Sequence, residues 1–486
     1  GRNTVIYSLG VFAQRIVSVL MLPVYTRVMT PADYGVLDLL SMVTDVTALL
    51  LTAGLVSGLQ RFWFQAGSDE ERRRLASTAL LMQLGMASIG SVLLALFAEP
   101  VAAHALGGHG SAQMVRLAAA NFTLALLTNV PLILMQTQER SRLYLGVVLS
   151  RIVLQVLFNL VFVVHFRMAA TGMLLSALLT SIIVGGWAAT WMVRSTGVQF
   201  SRHWLGELRR FGVPYQLSWA ASFLLTFGDR FFLQAAKGAG TVGLYGMAYQ
   251  FGFIVAQVAG FPFIQAWRPQ RFQLVGASRE KRDRATRQGF FYLGLVLLTG
   301  ATGICLFVEP FLHVMTTSGF HGAALMVPLI VLAYVIDTLG NAMSFGIEVS
   351  EQTRYNAYAT WASAITALAL YALLIPRWGG YGAALGTVGG FAVRTTLLYH
   401  WSQRLWPVSY GVRRVLLTAA FGAAATVLYL LLRADTLLPQ LLLASGLFVA
   451  YLAAVFLVCL TGEERALLNR AVHDLRHAIP ILTRAG

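Results

Sequence analysis

Apolar segments long enough to cross a lipid bilayer follow one another along nearly the whole chain. A transmembrane helix needs about 20 consecutive apolar residues. Runs of roughly this length occur at 4–28, 35–60, 76–98, 113–136, 143–165, 171–193, 211–234, 241–266, 288–309, 322–347, 355–375, 381–401, 413–432 and 438–461. Only 12% of the 486 residues are charged, against about 25% in soluble domains. The sequence therefore predicts an all-α integral membrane protein with about 14 transmembrane helices.

The positively charged residues are distributed unevenly among the gaps between these segments. The net charge is +16, with 36 Lys and Arg residues. If the N-terminus is cytoplasmic, roughly 26 of them fall in cytoplasmic gaps or termini, about 5 in the opposite gaps and about 5 within segments. The positive-inside rule therefore predicts that both termini are cytoplasmic. Because topology accounts for most of the charge, we expect contact with anionic membrane lipids and no nucleic-acid binding.

Short motifs recur at an offset of roughly 210 residues, which corresponds to six segments. The matching pairs are Glu139–Arg142 with Glu351–Arg354, Arg167–Gly172 with Arg377–Gly382, and Gly35 with Gly243. Because six is an even number, the two halves would have the same orientation, related by an axis along the membrane normal. The predicted domains are six-helix lobes at 1–194 and 195–404, extra helices 13 and 14 at 405–461, and a cytoplasmic amphipathic tail at 462–486.

Eight of the charged residues within the predicted segments are candidates for a functional role, because a charge in the bilayer costs about 2.5–3.5 kcal/mol and normally faces a cavity or a partner. They are Arg15, Asp45, Arg116, Arg151, Asp229, Arg230, Asp337 and Arg394. Five arginines against three aspartates leave an excess of positive charge. Arginine binds phosphate through paired hydrogen bonds, so the excess favours a cavity for an anion. Arg–Asp pairs that only hold helices together remain the alternative.

Polar residues at helical spacing indicate which helix faces would line this cavity. Segments 1, 2, 7 and 8, which occupy equivalent positions in the two halves, each carry such a stripe. In segment 2 the stripe contains Asp38, Ser41 and Asp45. These stripes predict a cavity between the two lobes.

No nucleotide-binding loop of the Gly-x4-Gly-Lys-Ser/Thr type is present, so the sequence contains no internal nucleotide-driven motor. An ion gradient, the membrane potential or consumption of the product would then supply the energy. The candidate Na⁺ or H⁺ sites are Asp45, Asp229, Asp337 and Asn341. For each of them, a salt bridge or a packing role is the alternative. We expect no other cofactor and no metal, because Cys305 and Cys459 lie in apolar runs and His104 and His109 lack a third ligand.

Two stretches of the sequence resemble a known family. Residues 24–35 read Val-Tyr-Thr-Arg-Val-Met-Thr-Pro-Ala-Asp-Tyr-Gly. Residues 228–233 read Gly-Asp-Arg-Phe-Phe-Leu and residues 242–249 read Val-Gly-Leu-Tyr-Gly-Met-Ala-Tyr. They are similar to the Wzx-type flippases, the polysaccharide transporter family of the multidrug/oligosaccharidyl-lipid/polysaccharide (MOP) exporter superfamily. The segment layout agrees with that family over essentially the whole chain.

The resemblance implies two six-helix lobes around a cationic cavity and transport by alternating access. The substrate would be an undecaprenyl-diphosphate-linked oligosaccharide, the repeat unit of an O-antigen, capsule or exopolysaccharide, carried across the bacterial inner membrane. The expected diphosphate contacts are Arg15, Arg27, Arg116, Arg151, Arg230 and Arg394. The expected glycan contacts are Tyr215 and Trp219. Arg15 and Arg27 occupy positions like those of phosphate-binding arginines in relatives, and Asp229-Arg230 matches a family pair.

Other activities of related proteins are the alternatives. The first is flipping of lipid II, as in MurJ-type flippases, and the second is multidrug/cation antiport of the MATE type. Drug exporters usually carry an acidic residue in the first helix, whereas this chain has Arg15 and no acid there. An integral-membrane polymerase or ligase would need a long outer loop; the outer gaps are short, so we expect no enzymatic activity. A polysaccharide polymerase or synthase complex is an expected partner of the tail.

Overall fold

The computed structural model describes residues 2–52, 54–108, 110–434 and 436–466, without the side chains of residues 1–12, 15, 56 and 214–219. In this part of the chain the secondary structure is helical, with no β-strand. The long helical segments are α1 (Arg2–Thr26), α2 (Pro31–Gln65), α3 (Asp69–Leu96), α4 (Ala112–Thr137), α5 (Ser141–His165), α6 (Ala169–Thr196), α7 (Arg202–Lys237), α8 (Ala239–Gln273), α9 (Arg279–Met315), α10 (Ser318–Val349), α11 (Arg354–Trp378), α12 (Gly380–Leu405), α13 (Val412–Leu432) and α14 (Leu437–Cys459).

Among the described residues, 11 of these segments are long and apolar enough to cross a membrane, namely all except α1, α7 and α12. Each predicted apolar run overlaps one helical segment. The prediction of an all-α, multi-pass membrane protein is therefore confirmed. The number of 14 transmembrane helices stays a prediction.

The start of α2 is fixed by the sequence Thr30-Pro31-Ala32-Asp33. The Thr30 hydroxyl accepts a hydrogen bond from the backbone N–H of Asp33 at 3.2 Å, and the Asp33 carboxylate accepts one from the backbone N–H of Thr30 at 2.8 Å. This reciprocal capping satisfies donors that a helix start leaves without intrahelical partners. Pro31 suits the first helical position because its missing N–H has no role there. The family-like stretch thus determines where α2 begins.

The turns at the motif pairs have matching backbones. Glu139 and Glu351, 212 residues apart, have φ angles of 56° and 55°. In both turns the N–H of the glutamate donates to the carbonyl three residues earlier, and the next N–H donates to the carbonyl five residues earlier. Arg167 and Gly379, again 212 residues apart, have φ angles of 53° and 54°. Repeated left-handed residues at one offset support the internal repeat, while the predicted lobe boundaries stay a prediction.

The contacts divide the chain into two compact units. The first comprises Gly1–Ala248, Val314–Met326 and Asn356–Arg394, and the second comprises Tyr249–His313, Val327–Tyr355 and Thr395–Gly486. The first unit has a buried apolar cluster built from α2, α3, α4, α6 and α7, with Leu59, Leu75 and Leu208 at most 1% exposed. The second has a smaller cluster around Leu306 and Tyr429, where α9, α13 and α14 pack together.

Candidate functional site

A cavity of about 410 Å³ lies inside the first unit, among α1, α4, α5 and α6. Its volume falls within the range of about 300–1,000 Å³ that is typical of ligand sites. Much of the wall is apolar and comes from Val, Leu, Ile and Met side chains. The polar residues of the wall are Gln14, Ser18, Tyr25, Thr128, Tyr144, Arg151 and Gln155. The cavity therefore combines an apolar wall with a small number of groups able to bind a polar ligand.

A polar stripe on α5 runs along this cavity. Arg151, Gln155 and Asn159 are spaced four residues apart, so they lie on one helix face with about 6 Å between successive positions. The Gln155 amide donates to the Asn159 side-chain oxygen at 3.1 Å, and the buried Asn159 amide donates to the Tyr25 hydroxyl at 2.6 Å. These bonds connect α5 to α1 and hold Gln155 and Tyr25 in position in the cavity wall.

Arg151 supplies the positive charge of the cavity. Its side chain is exposed there, and no carboxylate of the described residues forms an ion pair with it. No Asp or Glu is found among the described residues that line the cavity. A guanidinium within a membrane helix is costly without a partner, and it can grip a phosphate through two parallel hydrogen bonds. The cavity can therefore hold an anion at Arg151.

A second group of charged residues lies where α2, α7 and α8 meet in the first unit. Arg230 is 3% exposed and donates to the Asp38 carboxylate at 2.9 Å, to the Asp229 carboxylate at 3.0 Å and to the Thr226 carbonyl at 3.1 Å. Asp229 is fully buried and accepts a further hydrogen bond from the Tyr245 hydroxyl at 2.6 Å. The rings of Phe227 and Tyr245 also lie within 5.4 Å of the guanidinium carbon.

Two glycines bring the same helices into backbone contact. A Cβ atom on Gly35 would lie 1.9 Å from the carbonyl oxygen of Ala239, and one on Gly243 would lie 1.8 Å from the carbonyl oxygen of Pro31. Gly35 and Gly243 are 208 residues apart, as are Pro31 and Ala239, so the contact is reciprocal, as at a two-fold axis. No side chain larger than hydrogen fits at either position while α2 and α8 remain this close. The predicted glycine pair is thus a point of direct contact.

The six arginines predicted to bind an anion lie in different surroundings. Arg151 lines the cavity, whereas Arg230 bonds the two carboxylates described above. Arg116 is exposed and pairs with Glu99 at 3.3 Å. Arg27 is exposed at the end of α1, and Arg394 is half-buried on α12. The side chain of Arg15 lies outside the described residues, as do those of Tyr215 and Trp219.

The predicted ion-coupling residues are also separated. Asp229 belongs to the buried network in the first unit. Asp45 lies on α2 with an exposed side chain. Asp337 and Asn341 lie on α10, where the Asn341 amide donates to the Asp337 carboxylate at 3.0 Å. Within the described residues, no group of three or more His, Cys, Asp or Glu side chains could hold a metal ion.

The sequence interpretation missed Gln155, Asn159 and Tyr25. Uncharged amides in an apolar run attract less attention than arginines. The available signal was the regular spacing of Arg151, Gln155 and Asn159, which marks one polar face of a helix that is otherwise apolar.

Comparison with known proteins decides the family. A family model described as "Polysaccharide biosynthesis protein" matches residues 1–275, more than half of the chain. The chain belongs to this family. No curated protein matches it in sequence. The predicted resemblance to polysaccharide transporters is thereby confirmed.

Solved structures of MOP-superfamily transporters share the fold. The chain is similar to "Lipid II flippase MurJ, inward closed conformation", with a TM-score of 0.73, 10% identity, and coverage of 93% of this chain and 99% of that one. It is similar to an inward-facing multidrug resistance MATE family transporter, with a TM-score of 0.61, 17% identity, and coverage of 80% and 94%. It is also similar to a MOP-superfamily transporter from Pyrococcus furiosus, with a TM-score of 0.52, 16% identity, and coverage of 83% of this chain and 94% of that one. This family member therefore has the fold of the MOP-superfamily transporters.

Proposed function

We propose that the protein is a flippase for undecaprenyl-diphosphate-linked oligosaccharides, the repeat units of an O-antigen, capsule or exopolysaccharide, in the bacterial inner membrane. The family match supports a role in polysaccharide biosynthesis. The observation that carries the substrate class is Arg151, which has no carboxylate partner among the described residues and lies in a cavity whose other described lining residues are uncharged. A diphosphate supplies the missing negative charge, and its oxygens match the guanidinium fork.

The depth of Arg151 fits this role. It is ten residues from the start of α5 at Ser141, which corresponds to about 15 Å along a helix. A hydrocarbon core is about 30 Å thick, so Arg151 would bind the diphosphate near the middle of the membrane. Gln155 and Tyr25, held by Asn159, would accept or donate hydrogen bonds on the same wall. Arg15, Arg27 and Arg394 would contact the diphosphate at other stages of its passage.

The contact between α2, α7 and α8 would then be a gate. With both termini cytoplasmic, α2 begins and α7 ends on the periplasmic side. The Gly35–Gly243 contact and the bonds of Arg230 would hold that side of the first unit closed. Alternating access requires this contact to separate when the substrate leaves. In this proposal Arg230 acts mainly on the gate, because its guanidinium already binds two carboxylates.

The energy source would be an ion gradient or the membrane potential acting on the anionic substrate. Asp45 is the leading candidate for a proton or Na⁺ site, since its carboxylate is exposed on α2 and forms no ion pair with a described basic residue. Asp337 and Asn341 are a further candidate pair. A polymerase or synthase complex would dock on the cytoplasmic tail, most of which lies outside the described residues.

Flipping of lipid II is the second candidate, because the chain matches the MurJ structure over 93% of its length. Both substrates carry a diphosphate, so Arg151 fits either one, and they differ in the attached sugar.

The test is transport by the purified protein in liposomes. A fluorescent polyprenyl-diphosphate oligosaccharide is reconstituted with the protein, and the fraction accessible to a quencher outside is followed with time. Lipid II and a fluorescent drug cation are measured in parallel. The proposal expects flipping of the oligosaccharide above that of empty liposomes. Preferential flipping of lipid II would assign the second candidate, and cation efflux without lipid flipping would contradict both.

A further inference from the structure

We propose that the second unit contains a binding site for a phosphate group at Arg271, apart from the transport cavity. Arg271 is 6% exposed and lies near the end of α8. Its guanidinium carbon lies 4.5 Å from the ring centre of Trp267 and 3.9 Å from that of Phe345. Such stacking stabilises a buried guanidinium through its two faces and leaves the N–H groups at its edge to be satisfied separately.

The edge of this guanidinium lacks acceptors. Nε and Nη2 of Arg271 are buried and have no hydrogen-bond partner among the described residues. These two nitrogens form the side-on fork that binds carboxylates and phosphates in a bidentate manner. The Tyr410 hydroxyl lies within hydrogen-bonding reach of Arg271, and it donates its own proton to the Met343 carbonyl at 3.1 Å. The side of the guanidinium that is suited to a phosphate therefore has no acceptor among the described residues.

Two acidic residues of this region, Glu348 and Asp283, accept hydrogen bonds from other groups. Glu348, which acts on Arg271 through its charge, accepts a hydrogen bond from Arg268 at 3.1 Å. Asp283 accepts one from the backbone N–H of Ser409 at 3.1 Å. Neither carboxylate bonds to the free fork. Buried N–H groups without acceptors are costly and rare in folded proteins, so the arrangement calls for an external acceptor.

Neighbouring donors extend the site. Phe345 lies 6.2 Å from Trp406, and the guanidinium of Arg282 lies 5.0 Å from the ring of Trp406. Nε of Arg282 and Nε1 of Trp406 are also buried without a hydrogen-bond partner. Two cations and three rings are therefore in contact from Trp267 to Arg282, and four of their nitrogens have no hydrogen-bond partner among the described residues. A phosphate group offers several strong acceptor oxygens and a negative charge, which a water molecule does not.

The surrounding charge favours an anion as well. Residues 268–287 contain seven Lys or Arg and two Asp or Glu, a net charge of +5. In the predicted orientation this segment is cytoplasmic, at the level of the phospholipid headgroups. The phosphate could belong to an anionic phospholipid of that leaflet or be free in solution, and the chemistry at Arg271 is the same for both.

The test measures binding rather than transport. Purified protein in a neutral detergent is titrated with phosphatidylglycerol, with phosphatidylcholine as the uncharged control lipid, and separately with inorganic phosphate against chloride at equal ionic strength. The readouts are bound lipid by native mass spectrometry and the midpoint of thermal unfolding. We expect phosphatidylglycerol or phosphate, and not phosphatidylcholine or chloride, to bind and to raise the midpoint. A response to phosphatidylglycerol alone identifies a headgroup site, and an equal response to phosphate identifies a site for the free ion.

Three variants locate the site. Arg271→Lys keeps the charge and removes the fork, so the affinity should fall about tenfold. Trp406→Phe keeps an aromatic ring and removes one N–H donor, so it should fold normally and lose less affinity than Arg271→Lys. Arg268→Lys, an exposed residue paired with Glu348, is the matched control and should bind like the wild type. Equal binding by all four proteins, or no specific binding by the wild type, would overturn the proposal.

Discussion

Replacement of Arg230 by methionine should destabilise the protein more than any other single arginine change in the first unit. The substitution keeps much of the side-chain volume and removes the hydrogen bonds to Asp38, Asp229 and Thr226. Asp229 would then be a fully buried carboxylate whose remaining described donor is Tyr245. Breaking a buried ion pair from one side costs about 3–5 kcal/mol, because the other charge stays in the low-dielectric interior.

The structure also predicts how much stability the related variants should lose. Asp38→Asn should cost about 1 kcal/mol or less, because the Asp38 side chain is 31% exposed and Arg230 keeps its bond to Asp229. The double variant Arg230→Met/Asp229→Asn removes the buried charge together with its partner. It should therefore recover much of the stability that the single variant loses, which is a non-additive result expected for residues in direct contact.

The assay is thermal unfolding in detergent micelles, followed by tryptophan fluorescence, with size-exclusion chromatography to confirm that each variant is monodisperse. Arg116→Met is the matched control, since Arg116 forms an exposed pair with Glu99. A midpoint for Arg230→Met equal to that of Arg116→Met would refute the reasoning. So would a double variant less stable than Arg230→Met alone.

Three further results are expected. Gly243→Ala should slow flipping and lower the unfolding midpoint, because its Cβ would lie 1.8 Å from a carbonyl oxygen and such overpacking costs about 1–3 kcal/mol of stability. Gly228→Ala is the control: its Cβ would meet its nearest neighbour at 3.4 Å, so the variant should be tolerated. Asn159→Leu should separate α5 from α1 and reduce substrate affinity without abolishing insertion; wild-type affinity would contradict a role for the stripe. Burial raises the pKa of Glu464, but hydrogen bonds, first of all from Arg414, outweigh it and hold that pKa below its usual value. The ion pair between Glu464 and Arg414 therefore stabilises the protein above about pH 4.5, and this stabilisation is lost as the pH falls through the lowered pKa. Acidification should thus lower the unfolding midpoint of the wild type more than that of Glu464→Gln.

The helices were predictable because hydrocarbon imposes a simple rule. Each span must be apolar and about 20 residues long, so the apolar runs coincide with the helices of the structure. The repeated motifs correspond to a repeated local structure, since Glu139 and Glu351 adopt the same turn. Gly35 and Gly243 stood out as a pair, although their reciprocal contact depends on how α2 approaches α8, which no local pattern contains.

The partners of the charges were not predictable from the sequence. Arg230 bonds to Asp38, which is 192 residues away, so the position of its charge did not show that it was already paired. Arg271 lies in an arginine-rich stretch of the sequence that the positive-inside rule already explains, yet its side chain is buried between Trp267 and Phe345. Such pairings arise from tertiary packing and decide whether an arginine is available to a ligand.

The central claim is that Arg151 binds the diphosphate of a lipid-linked substrate. The most direct measurement compares flipping of a fluorescent polyprenyl-diphosphate oligosaccharide by wild type, Arg151→Gln and Arg116→Gln in liposomes containing equal amounts of protein. The account predicts that Arg151→Gln flips at least about tenfold more slowly, since a charge-assisted bidentate contact contributes roughly 1.5–3 kcal/mol, and that Arg116→Gln matches the wild type. Equal flipping by Arg151→Gln and wild type, with both proteins folded, would contradict it.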